Sequence, residues 1–483
     1  MPVQNLHIFL PEIILALAGL FVLLLDLFLK PEQKRVLPVI TVIGLVVFGL
    51  ASWGLWDPHR LPVFEFWGSY TLDNFAVFFK LLFAAGGILI VLLSTDFLRK
   101  VYAYGEYFAL LLFAILGMTL LAGSVDLITI YLSFELVSLS SYVLAGYLRR
   151  DAKSNEAALK YFLYGASASA VMIYGLSLLY GLGGSTNLLL LGDRLAMNPV
   201  GPMHALALIL VLAGFGYKIA MVPFQAWSPD VYEGAPTAVT AFLSVGPKAA
   251  GFAILARFLL IVAPPLVPQW QIILAVLATL TMFVGNLLAI RQQNVKRMLA
   301  YSSIAHAGYM LIGVIAAGSQ TGWGLPAVLY YLVAYLFMNL GLFAVLMMVA
   351  HSTGTEELEG FRGLARGSLG LALVTLLFLL SLTGIPPTAG FVGKLYLFGA
   401  AISSGTWWWL GVIGIVNSAI SVYYYMNIAR LMFFFDTERE VRLQPGAFAV
   451  VMWVCVIGTL ALCLLPQPLL DLAKQAGALV IGH

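Results

Sequence analysis

Charge is scarce in this chain and cysteine almost absent. Only 10% of the 483 residues are Asp, Glu, Lys or Arg, against 62% hydrophobic residues and a mean hydropathy of +0.98. That balance excludes a soluble fold and indicates a polytopic membrane protein. The two cysteines, Cys455 and Cys463, both fall in the last apolar run and form no C-x-x-C, which argues against iron–sulfur clusters and structural zinc. There is no G-x-G-x-x-G and no phosphate-binding loop, so nucleotide and flavin chemistry is expected to lie in other chains. No Lys or Arg precedes the first apolar run and no small-residue cleavage site follows it, so that run reads as a span rather than a cleaved signal. The longest polar connections, near 57–73, 183–203 and 351–368, are too short to fold alone, and the chain reads as one membrane domain, 1–483.

Hydropathy predicts an all-α protein of about fourteen spans, each of the roughly 20 residues a bilayer requires. They fall at 6–28, 36–56, 74–95, 106–123, 126–148, 159–182, 204–229, 238–262, 270–290, 297–317, 325–350, 369–401, 406–435 and 447–466. The formal net charge of +3 says less than where the charges sit. Lys30, Lys34, Arg35, Arg99, Lys100, Arg149, Arg150, Lys153, Lys160, Arg291, Lys296, Arg297, Arg362, Arg366, Arg430, Arg439 and Arg442 occupy odd-numbered loops or their edges, while the even-numbered loops hold only Arg60 and Arg194. By the positive-inside rule the odd loops are cytoplasmic and both termini lie on the opposite side.

A weak internal symmetry runs through the spans. The seventh, LAGFGYKIAMVPFQAWSPDVYEGAPT, carries Lys218 five residues before Pro223. The twelfth, SLTGIPPTAGFVGKLYLF, carries Lys394 seven residues after Pro387. Spans 4–8 (106–262) and 9–13 (270–435) then form two five-helix units, flanked by 1–105 and 436–483. Five is odd, so the units are inverted with respect to each other. Paired, interrupted segments in matching positions point to a transport site. Proline removes a backbone donor and frees carbonyls that require protein or water as partners.

Four charges lie in the middle of spans: Glu135, Lys218, Lys248 and Lys394. Each costs at least about 2.5–3.5 kcal/mol at the bilayer centre, so such groups mark a pathway or a pair. Desolvation favours a neutral carboxyl and a nearby ammonium favours a charged one, so Glu135 is switchable by moving a partner, and Lys218 is the natural partner. The bland reading is a static ion pair, although apolar residues would join two helices at lower desolvation cost. Lys248, next to Pro247, either takes a proton from Lys218 through water or caps carbonyls freed by the proline. His306, flanked by Ser302, Ser303 and Tyr309, either relays a proton between its two nitrogens or bonds between helices. Lys394 either ends the path or snorkels to an interface, which its depth makes difficult.

Other polar residues read as structural. Lys80 is expected to snorkel and Arg257 to anchor at an interface. Glu12, Asp26 and Asp126 lie towards span ends. Asp230 and Glu233 are expected to shape the loop after the broken helix, and the small residues around 165–170 to allow close helix packing.

The run from Lys218 through Pro223, Trp227, Pro229 and Asp230 into VYEGAPT resembles the antiporter-like subunits of respiratory complex I and their Mrp-type cation/proton antiporter relatives. So do the central Glu135, RQQNVKRMLAYSSIAHAGY and GIPPTAGFVGK. The resemblance covers essentially the whole chain. PDVYEGAP, and lysine at both 248 and 394, resemble the N type (subunit 2 of NADH–quinone oxidoreductase), and the short tail lacks the long lateral helix of the L type. The resemblance implies a proton path along Glu135, Lys218, Lys248, His306 and Lys394, with quinone reduction elsewhere in the complex driving it. It implies no cofactor in this chain. NAD, FMN, iron–sulfur clusters and quinone are expected in partner subunits, the electron donor being NADH or a ferredoxin-like protein. The expected partners are other membrane subunits, antiporter-like homologues among them, and a quinone-reducing peripheral arm, in a bacterial plasma membrane or equivalent. In this reading, displacing Glu135 from Lys218 drives the lysine's proton towards Lys248. A Mrp-type Na+/H+ antiporter subunit and a structural membrane subunit without transport are the alternatives.

Overall fold

The computed structural model describes residues 6–58, 61–98, 104–197, 201–319, 322–436 and 446–481. Arg60, Arg99, Lys100, Arg439 and Arg442 lie outside the described residues. The chain begins with α1 (Leu10–Phe28) and α2 (Leu37–Trp53), then a hairpin of β1 (Val63–Glu65) and β2 (Tyr70–Leu72). It continues through α3 (Asn74–Leu98), α4 (Tyr104–Gly123), α5 (Leu127–Ala145), α6 (Ala152–Gly183) and α7 (Leu188–Met197). Next come α8 (Pro202–Ile219), α9 (Trp227–Gly234), α10 (Thr237–Val262), α11 (Val267–Ala289), α12 (Val295–Ala317) and α13 (Gly324–Thr353). The chain closes with α14 (Leu364–Gly367), α15 (Leu369–Thr383), α16 (Ala389–Ser403), α17 (Trp408–Phe434), α18 (Ala447–Leu464) and α19 (Pro466–Ile481).

Among the described residues, 13 helices are long and apolar enough to cross a membrane. The twelfth predicted span is broken as expected, into two shorter apolar helices, α15 and α16. The seventh is likewise divided, into α8 and the short α9. Where the chain was expected to end in a short tail, α19 forms and packs against α13 and α3.

Helices α10, α12 and α13 are almost wholly enclosed, whereas α2, α6 and α18 turn most of their surface outward. The enclosed helices therefore have apolar residues on all sides, as a buried membrane helix must. Three polar pairs join them in the interior: Lys248 with Ser303, Asn339 with Ser244 and His306 with Tyr331.

Both breaks leave helix-end carbonyls without intrahelical donors. At the first, α8 stops at Ala220 with φ 59°, and the Val222 N–H turns outward to the Thr281 hydroxyl of α11 at 3.0 Å. At the second, α15 stops at Gly384 with φ 88°, and Thr388 caps the start of α16 by accepting from the Phe391 N–H. Each break places a lysine beside it: Lys218 in the last turn of α8, Lys394 in the second turn of α16.

Candidate functional site

Five helices bring the predicted residues towards the interior: α5 (Glu135), α8 (Lys218), α10 (Lys248), α12 (His306) and α16 (Lys394). Lys218, Lys248 and His306 are each 1% exposed and Lys394 4%. Glu135 is half-buried.

The expected Glu135–Lys218 ion pair does not form. The Lys218 ammonium donates to the Ser138 hydroxyl at 2.7 Å and lies over the Phe134 ring, 4.3 Å from its centroid. Glu135 accepts a hydrogen bond from Ser169 of α6. Ser138, one turn beyond Glu135 on the same side of α5, takes the ammonium, while Ser169 of α6 holds the carboxylate. The small residues around 165–170 therefore include a partner for the carboxylate as well as packing contacts.

Pro247 lies inside a continuous α10, and Lys248 caps no carbonyl there; it donates to Ser303 of α12 at 2.5 Å. His306 contacts two phenols. Its Nδ1 lies 2.6 Å from the Tyr331 hydroxyl, and its Nε2 lies 3.3 Å from that of Tyr425. Tyr425 also shares a short hydrogen bond with Ser302. Lys394 does not snorkel. Its ammonium caps the end of α15, donating to the Leu382 and Thr383 carbonyls at 3.1 and 2.8 Å, and lies 4.6 Å from the centre of the Tyr309 ring. A charge here meets the acceptors that the helix break frees.

Two residues read as interfacial are buried and paired. Arg257 makes a two-pronged ion pair with Asp73 at 2.8 and 2.9 Å and donates through Nε to the Ala122 carbonyl. Lys80 pairs with Glu12 at 2.8 Å, and Tyr70 donates to the same carboxylate oxygen at 2.9 Å. In both cases a carboxylate from an element distant in sequence removes the reason to reach water. Asp26 pairs with Lys34, and Asp126 caps the start of α5.

Asp230 and Glu233 do more than shape a loop. Lys160 and Arg297 reach Asp230 at 2.6 Å each, and Arg297 and Lys153 reach Glu233 at 3.1 and 3.5 Å. Helix α9, outside the thirteen candidate spans, is thereby tied to α6 and α12. Burial tends to raise the Asp230 carboxyl, but the hydrogen bonds from Lys160 and Arg297 outweigh it and hold the group below the usual range. Among the described residues, no three His, Cys, Asp or Glu side chains come together as a metal would require.

The family described as "NADH:quinone oxidoreductase/Mrp antiporter, TM" matches residues 124–421. NADH-quinone oxidoreductase subunit N of Trichlorobacter lovleyi is 43% identical, over 99% of this chain and 98% of the relative. The chain belongs to the NADH-quinone oxidoreductase subunit N family. The relative of the same name in Desulfitobacterium hafniense is also 43% identical, over 97% of this chain and 98% of its own. A chain of respiratory complex I from Thermus thermophilus with bound aureothin superposes with a TM-score of 0.81 at 37% identity, covering 96% of this chain and all of that one. A chain of the Mrp complex from Dietzia sp. DQ12-45-1b gives 0.86 at 22% identity over 100% and 98%, a likeness of fold.

Sequence reasoning missed Ser138, Ser169, Tyr331 and Tyr425 as partners of the central groups. One signal was available. A tyrosine in a membrane helix needs a partner for its hydroxyl, and Tyr331 and Tyr425 lie within spans.

Proposed function

We propose that this chain is an antiporter-like, proton-translocating membrane subunit of NADH–quinone oxidoreductase, working among other membrane subunits and a quinone-reducing peripheral arm. NAD, FMN, iron–sulfur clusters and quinone belong to those partners in this reading. The odd loops face the cytoplasm of a bacterium and both termini the other side. Segments 106–262 and 270–435 act as the two inverted halves.

The observation that carries the reading is the series of buried basic groups, each held by neutral hydrogen-bonding partners. Lys218 rests on Ser138, Lys248 on Ser303, His306 on two phenols and Lys394 on two carbonyls. Neutral partners leave each base free to gain or lose a proton, whereas a buried carboxylate would fix the charge. Glu135 stands at one end and supplies the switch. Moving it from Ser169 to Lys218 holds the proton on that lysine, and withdrawing it lets the proton pass towards Lys248. Redox chemistry in the partners then acts by changing the charge state next to Glu135.

The test is quinone-reduction-driven acidification of sealed vesicles in sodium-free medium. The proposal predicts acidification that a protonophore abolishes. No redox-driven signal would contradict it and favour a Mrp-type exchange of sodium for protons.

A further inference from the structure

Resting on that reading, we infer that Tyr331 and Tyr425 are relay residues, one on each side of His306, carrying the proton from the Lys248 side to the Lys394 side.

The geometry is that of a two-sided clamp. Tyr331 of α13 meets Nδ1 at 2.6 Å, and Tyr425 of α17 meets Nε2 at 3.3 Å. Both tyrosines are 0% exposed and the histidine 1%. One side of the clamp lies next to the residue that holds Lys248, the other next to the turn that carries Lys394. Tyr425 is hydrogen-bonded to Ser302, and the next residue, Ser303, accepts from Lys248 at 2.5 Å. On the other side, Tyr331 packs against the α-carbon of Gly393, the residue before Lys394; a Cβ there would fall 2.5 Å from Tyr331 Cδ2. The edge of the Tyr331 ring therefore borders the turn of α16 that carries Lys394, while its hydroxyl sits on His306.

A neutral imidazole has one N–H and one bare nitrogen, so one phenol donates to it while the other accepts. With the hydrogen on Nδ1, Tyr425 gives its hydroxyl proton to Nε2 and takes another from the Ser302–Lys248 side. The Nδ1 proton passes to the Tyr331 oxygen, whose own proton leaves towards Lys394. Each relay group ends with the protons it began with, one proton has moved from Lys248 to Lys394, and His306 has changed tautomer. Rotation of the hydroxyls and return of the tautomer reset the relay.

Tyr330 is the internal control. It adjoins Tyr331 and is equally buried, but its hydroxyl donates to the Leu462 carbonyl at 2.6 Å and faces no base.

The test compares Tyr331→Phe, Tyr425→Phe, Tyr330→Phe and Lys218→Met in the assembled complex, in sealed vesicles, at matched amounts of complex. Each phenylalanine variant keeps the ring and loses one oxygen. Tyr331→Phe and Tyr425→Phe are expected to slow redox-driven acidification about a hundredfold or more, the low end for loss of a placed proton-transfer group. They should also change the solvent deuterium effect on that rate, which lost packing would leave alone. Tyr330→Phe should acidify as native. Native-like acidification by Tyr331→Phe alongside collapse in Lys218→Met overturns the relay and leaves the pump. Equal loss in Tyr330→Phe also overturns the relay. Native-like behaviour of Lys218→Met and Tyr331→Phe together overturns both readings.

Discussion

The Lys218 ammonium is bonded to Ser138, at 2.7 Å, and not to Glu135 one helical turn away. The lysine and the carboxylate thus occupy separate hydrogen-bonding partners, and two serines hold them there. A hydrogen bond to a charged group contributes about 1.5–3 kcal/mol, enough to set which arrangement prevails.

Ser138→Ala removes the acceptor of Lys218. The ammonium then has the Phe134 ring and Glu135 within its surroundings, and pairing with Glu135 is favoured. Redox-driven acidification should fall, with the assembled complex present in native amount. Acidification at the native rate would show that Ser138 does not govern the lysine.

Arg257 and Asp73 test stability instead of transport. Breaking one side of a buried ion pair costs about 3–5 kcal/mol, because the remaining charge stays buried without a partner. Arg257→Met is therefore expected to lower the thermal midpoint of the detergent-solubilised complex and the amount assembled, and Asp73→Leu in addition to recover part of the loss. Thermal unfolding of the single and double variants checks this.

Gly384 ends α15 at φ 88°, and a Cβ there would lie 2.8 Å from Lys394 Cδ. Gly384→Ala meets a left-handed backbone penalty of about 1–2 kcal/mol and pushes the lysine off its carbonyls. Vesicles carrying it should acidify more slowly than native at equal complex content. Unchanged acidification would mean that the Lys394 cap is dispensable.

The Asp230 carboxyl is held below its usual range. Its contribution to stability is fully present above the unfolded carboxyl value and is lost only as pH falls through the lower folded value. From about pH 5 to about pH 8, Asp230→Asn should thus lower the thermal midpoint by an amount that does not change with pH, because both carboxyl values lie below that window. A difference that shrinks steadily across the window would contradict the assignment.

Much of this was legible in the chain. Pro223 and the Pro386–Pro387 pair mark the breaks because proline cannot continue a helix ladder, and Lys218 and Lys394 stand out beside them because charge in an apolar run is costly. Partnership was not legible. Arg257 and Lys80 were placed near span edges, where snorkelling suffices, yet their carboxylates come from Asp73 and Glu12, remote in sequence. Glu135 was paired with Lys218 as its natural partner within the spans, while the structure gives it a serine on α6. The tyrosines around His306 come from α13 and α17, and in sequence they look like ordinary aromatic packing. Helix α19 was missed because hydropathy detects spans, and this helix is only moderately apolar.

The most direct measurement is quinone-reduction-driven acidification in sealed vesicles for native protein and Lys218→Met at matched assembly. The account predicts that acidification collapses in the variant while the complex remains intact. Equal acidification by both would contradict it and place the proton path elsewhere.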